Sequence, residues 1–130
     1  MSVGVILITH QEIGDVLLDT AKKTFGELPL AVTPVAISYE MQIEELAPKL
    51  TNFIKQLDDG DGVLVLTDMF GATPCNLAVA LDKVSTVKVV SGLNLPMLIK
   101  VLNYPNLSLN ELAEKAISGG KDGVIDCHCE

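Results

Sequence analysis

The 130-residue chain contains no arginine. Its nine basic residues are all lysines, scattered along the sequence, and seventeen acidic residues outweigh them for a formal charge of −8. Nucleic acid is excluded as a partner, because binding a phosphate backbone needs a clustered basic surface. Cysteine is scarce as well. Cys75, Cys127 and Cys129 form neither a paired framework nor a C-x-x-C unit, which suits a reducing cytosol. The tail Cys127-His128-Cys129-Glu130 carries soft donors, but a structural zinc site needs four ligands and nothing nearby completes one. No metal and no cofactor is expected. Long apolar runs are also missing: Val3–Ile8 and Val63–Leu66 fall far short of the roughly 20 residues that span a bilayer. With no basic residue ahead of the first run, neither a signal peptide nor a membrane span is read, and a cytoplasmic location is expected. The sequence lacks G-x-x-x-x-G-K-[ST], G-x-G-x-x-G and G-x-S-x-G, so it offers no P-loop, dinucleotide turn or nucleophile elbow.

What is present is a single globular domain over residues 1–130, rich enough at 48% hydrophobic residues to bury a core. Val3–Thr9 is a continuous apolar run, the pattern of a strand covered on both faces of a parallel sheet. Ile13, Val16, Leu17, Thr20, Ala21, Thr24 and Phe25 follow at three- and four-residue steps, as on the inward face of a helix that Gly26 ends. Ala31–Ile37 reads as a second strand, placed at an edge by Pro34, which has no N–H to give a central ladder. A helix carrying Ile43, Leu46, Ala47, Leu50, Ile54 and Leu57 is expected to kink or restart at Pro48. After the turn cluster Asp58–Gly62, Val63–Thr67 reads as a central buried strand.

Thr73-Pro74 can cap and open a helix facing inward through Leu77, Ala80, Leu81 and Val84. A fourth strand is read at Thr86–Val90 and a short helix from Leu95-Pro96. Ser108 and Glu111 form a capping box for a last helix, with Leu109, Leu112, Ala113, Ala116 and Ile117 inward. Gly119-Gly120 is expected to end that helix, and Gly123–Asp126 to make a final short strand. Alternation of this kind gives an α/β fold: an open, mainly parallel, flavodoxin-like sheet with helices on both faces.

In such sheets the working groups gather at the carboxyl ends of the strands. Strand one ends at Thr9-His10 and strand three at Thr67-Asp68. If those strands are neighbours, Asp68 can accept the Nδ1 proton of His10, fixing the tautomer that puts the lone pair on Nε2. A helix opening at Thr73-Pro74 supplies backbone N–H groups for an oxyanion, and Gly71 and Ala72 let that backbone approach closely. Each residue taken singly has a plainer role: a surface histidine, a turn-capping aspartate, a helix-capping threonine. Their joint occurrence at adjacent strand ends favours chemistry, namely phosphoryl transfer governed by positioning and electrostatics.

Three segments, Ile6–His10, Leu66–Asn76 and Ser91–Leu98, together resemble the enzyme IIA domain of the mannose-family, phosphoenolpyruvate-dependent sugar phosphotransferase system. The resemblance spans essentially the whole chain and rests on D-x-x-G-x-[ST]-P-x-N combined with a histidine at the first strand end. It implies that His10 is phosphorylated, that Asp68 orients it, and that Phe70, Gly71, Ala72 and Thr73 surround the phosphoryl group. It further implies a donor, the histidine-containing phosphocarrier protein, and an acceptor, the IIB component of a sugar transporter. A homodimer that exchanges a short C-terminal strand is implied too, with Gly119-Gly120 as the hinge.

Ala72 departs from the second glycine often found there, and the sequence stops without a linker to a IIB domain, so transfer is expected between separate proteins. Two rivals stand beside this reading. A receiver-like module phosphorylated on Asp68 needs an acidic pair at the first strand end for magnesium, where the chain has Thr9-His10. A regulatory module would keep the His10 switch and let a partner read its charge, without sugar transport.

Overall fold

The computed structural model describes residues 2–38, 40, 43–69 and 86–128. The order of elements is β1 (Gly4–His10), α1 (Ile13–Phe25), β2 (Val32–Ile37), α2 (Ile43–Leu57), β3 (Val63–Thr67), β4 (Val87–Ser91), α3 (Leu95–Leu102) and α4 (Leu109–Asp122). All pairings are parallel, in the order β2-β1-β3-β4. Pro34 therefore lies on an edge strand and β3 in the interior, as the sequence led us to expect. The helix expected from Thr73-Pro74, with Leu77, Ala80, Leu81 and Val84, lies outside the described residues, as does the 70–73 loop.

Side-chain alternation along the strands divides the core in two. Val5, Leu7, Leu64, Leu66 and Val90 pack against α1, α3 and α4, while Ile6, Ile8, Val63, Val65 and Val87 pack against α2 through Leu46, Leu50 and Ile54. Leu50 and Ile54 are wholly buried, and each contributes about 1.5–3 kcal/mol through burial. That apolar stripe carries α2 on through Pro48, so of the kink or restart expected there the restart does not occur. Pro48 lies in the second turn and forgoes a single i→i−4 hydrogen bond, which the buried leucines and isoleucine offset.

The first helix ends at Gly26, whose φ of 78° suits a residue without Cβ. The last helix does not end at Gly119-Gly120. It continues to Asp122, because the glycines serve a close crossing with α3: a Cβ on Gly119 would lie 2.5 Å from Lys100 Cβ, and one on Gly123 2.4 Å from Pro96 Cβ. The capping box of Ser108 and Glu111 is formed as read. Residues 124–128 are irregular, and among the described residues no strand pairs with the segment expected to make a final strand.

Five inward assignments also need correction. Thr20, Thr24 and Ile117 are exposed, and Ile13 and Val16 at the start of α1 are 46% and 63% exposed. Helical periodicity places residues on a stripe but does not say which stripe meets the sheet: the buried positions of α1 are Gly14, Leu18 and Ala21, with Gly14 close against Leu7 and Thr9.

Candidate functional site

β1 delivers His10 to the carboxyl edge of the sheet, where it is the last residue of its strand. The chain then turns sharply through Gln11, a non-glycine residue at φ 50°, before α1 begins. Thr9 holds this turn. Its buried hydroxyl accepts a hydrogen bond from Gly14 N–H (2.9 Å) and donates to the Gln11 carbonyl (3.3 Å), while Gln11 N–H donates to the Ile37 carbonyl (2.9 Å). Glu12 occupies the N-cap position without a side-chain cap bond, so Thr9 does the capping from the strand. Sequence reasoning missed that role. The available signal was a hydroxyl at the last inward strand position followed by a helix start with no Ser, Thr, Asp or Asn.

Because β1 and β3 are neighbours, with Ile8 opposite Thr67, the residues that follow each strand meet at the edge. Asp68 turns its carboxylate onto His10. Oδ2 lies 3.1 Å from Nδ1 and accepts the His10 backbone N–H at 3.1 Å, and Oδ1 lies 3.3 Å from Nδ1. An ionised carboxylate only accepts, so the pair is made with the proton on Nδ1, which in the neutral ring puts the lone pair on Nε2. The side chains are 18% and 12% exposed, enough shelter to hold one rotamer while leaving the edge open to approach. The backbone bond matters as much as the side-chain one, since it fixes the carboxylate to the strand that carries the imidazole.

His10 and Asp68, 58 positions apart, are thus brought together. Phe70, Gly71, Ala72 and Thr73 lie outside the described residues. Beneath the pair, Thr67 and Ser91 stand opposite one another at the ends of β3 and β4. Their hydroxyl oxygens are buried and, among the described residues, have no hydrogen-bond partner. No group of three or more His, Cys, Asp or Glu side chains among the described residues could hold a metal ion. No helix among the described residues is long and apolar enough to cross a membrane.

A family model described as PTS system fructose IIA component matches residues 4–117. The PTS system mannose-specific EIIAB component of Escherichia coli K12 is 31% identical over 128 residues, covering 95% of this chain and 39% of that protein. The chain thus spans about two fifths of the length of that relative. The solved mannose/sorbose-specific IIA subunit of the phosphotransferase system from Enterococcus faecalis superimposes with a TM-score of 0.88 at 30% identity, covering 100% of this chain and 98% of that one. The transcriptional regulatory protein LevR of Bacillus subtilis is 27% identical over 116 residues, 85% of this chain but 12% of LevR.

Proposed function

The chain belongs to the family of PTS system fructose IIA components, transferases of sugar transport by phosphotransfer, and from that membership we propose that it is a phosphoryl carrier whose working group is the imidazole of His10. The observation that carries the proposal is the carboxylate of Asp68 on Nδ1 at the carboxyl edge of the sheet. The Nε2 lone pair attacks the phosphorus of a phosphorylated donor, and the bond from phosphorus to the donor breaks. The electron pair of that bond stays on the donor. Positive charge that develops on the His10 ring is stabilised through Nδ1–H by Asp68, which keeps its own charge throughout. Delivery to the acceptor runs the same steps in reverse. Phe70, Gly71, Ala72 and Thr73 are assigned the cradle for the phosphoryl oxygens, with backbone N–H groups taking the part that arginine plays elsewhere.

The donor in this proposal is the histidine-containing phosphocarrier protein, the acceptor is a IIB component, and residues 1–130 act as one IIA domain in the cytoplasm. A homodimer formed through the C-terminal segment is part of it. Val124 and Ile125, 79% and 70% exposed, follow α4, and β4 is the last strand of the sheet on that side among the described residues. A monomer mass independent of concentration in light scattering removes the dimer. The carrier itself is tested by incubation with phosphoenolpyruvate and the general phosphotransferase proteins, comparing wild type with His10→Ala. Label is expected in wild type alone, stable to alkali and lost in acid as a phosphoramidate is. Equal labelling of both proteins overturns the assignment. The match to LevR favours a second reading, in which a partner senses phosphorylated His10 and no sugar is moved. Passage of the label from His10 to a IIB component separates the two.

A further inference from the structure

Among the described residues, Gln11 alone takes a left-handed φ without being glycine, and it directly follows His10. That conformation is strained for a residue with a Cβ, and strain that persists beside a working group points to a constraint imposed by the surroundings. The constraint is visible. α1 doubles back over the strand that precedes it: Gly14 lies so close on β1 that a Cβ there would stand 3.2 Å from both Leu7 Cβ and Thr9 Oγ1, and Leu18 and Ala21 beyond it are buried. The chain must therefore reverse within the three residues between His10 and Gly14. Thr9, wholly buried, spans the reversal with one hydroxyl, which accepts from Gly14 N–H and donates to the Gln11 carbonyl.

We infer that Thr9 is a positioning residue for phosphoryl transfer: its hydroxyl holds Gln11 left-handed, and that turn sets the direction in which His10 presents its imidazole. The inference rests on the carrier reading above. The peptide groups on either side of His10 are fixed to opposite neighbours. The N–H before its Cα goes to Asp68 Oδ2, after β3, and the N–H after it, that of Gln11, goes to the carbonyl of Ile37 at the end of β2. These two planes define where the His10 side chain leaves the backbone. Because α1 is anchored by its buried residues, a relaxation of Gln11 to negative φ would be taken up by the backbone torsion of His10. The ring would then turn off the Asp68 carboxylate, losing its single tautomer and the aim of Nε2 at an incoming phosphorus. Rates fall steeply with such misplacement, since alignment of the reacting atoms supplies much of the acceleration. Buried beneath the edge, Thr9 meets no donor, so its effect falls on the transfer step and not on docking.

The test compares Thr9→Val, which keeps the shape and removes the hydroxyl, with Thr9→Ser, which keeps the hydroxyl and loses the methyl. Thr9→Val is also placed in a Gln11→Gly background, where the left-handed turn carries no strain. Labelling by the protein donor at saturation should slow at least about tenfold in Thr9→Val, with the half-saturating donor concentration unchanged, and stay within about threefold of wild type in Thr9→Ser. In the Gln11→Gly background, Thr9→Val should cost less than about threefold, since glycine adopts the turn without being held. Nitrogen NMR of the neutral, unphosphorylated imidazole should show Nδ1–H alone in wild type and a mixture of tautomers in Thr9→Val. A wild-type rate in folded Thr9→Val overturns the inference, as do equal losses in Thr9→Val and Thr9→Ser or an undiminished loss in the Gln11→Gly background. Failure of Thr9→Val to fold also overturns it, by making Thr9 a residue of the fold alone. If wild type takes no label, the carrier reading fails instead, while the NMR comparison still decides the inference: an unchanged tautomer in Thr9→Val refutes it.

Discussion

Asp68→Asn changes one carboxylate oxygen to an amide NH2 and almost nothing in volume, which makes it a sharp probe of the His10 pair. In wild type, Oδ2 accepts from both the His10 backbone N–H and Nδ1, each at 3.1 Å, and Oδ1 adds a longer approach to Nδ1 at 3.3 Å. The amide can settle in two ways. With its carbonyl in the Oδ2 place, both bonds survive, but the charge facing the ring is lost. Hydrogen bonds to charged groups contribute about 1.5–3 kcal/mol, so the transfer rate should drop about 10- to 150-fold. With its NH2 toward Nδ1, it donates to that nitrogen and drives the ring proton to Nε2, removing the nucleophilic lone pair. The corresponding substitution in hydrolase triads costs about 10⁴-fold. Either way labelling should slow by at least about tenfold while the fold persists, because the β1–β3 ladder does not depend on this side chain, although the second arrangement gives up the bond from the His10 backbone N–H. Rapid-quench labelling with the protein donor gives the rate, and nitrogen NMR of the imidazole tells the two settlements apart. A rate within twofold of wild type would refute the orienting role of Asp68.

Thr67→Val should raise stability by about 1 kcal/mol in urea unfolding, because it removes a buried hydroxyl that has no partner among the described residues and keeps its shape. A clear loss of stability would mean that the hydroxyl is satisfied after all. Gly119→Ala should lower stability by about 1–3 kcal/mol even though alanine favours helices, since the new Cβ would meet Lys100 Cβ at 2.5 Å. A higher melting temperature would contradict the tight crossing of α3 and α4.

Much of this architecture was legible because its signals are local or periodic. Continuous apolar runs marked β1 and β3, Pro34 marked an edge, and Ser108 with Glu111 marked a helix start, each through chemistry contained within a few residues. The His10–Asp68 pair could be anticipated only conditionally, because its existence turns on which strands are neighbours, and local sequence does not encode strand order. Readings failed where the deciding partner is distant. Gly119-Gly120 looks like a stop until Lys100 and Pro96 are seen crossing against that face. Ile13 and Val16 fit a helical stripe, yet nothing in their own segment tells that α1 turns Gly14, Leu18 and Ala21 to the core instead. The restart that Pro48 allowed does not occur: the sequence shows the lost hydrogen bond more plainly than the buried Leu50 and Ile54 that offset it.

The placement of β3 directly beside β1 has a consequence for how the molecule matures. Two residues 58 positions apart meet only after a parallel pairing that spans an intervening strand and two helices, and contacts of such sequence separation close slowly. A chain still emerging or partly melted therefore carries a histidine without its acid, and under the proposed carrier role it would take label slowly until the sheet has closed.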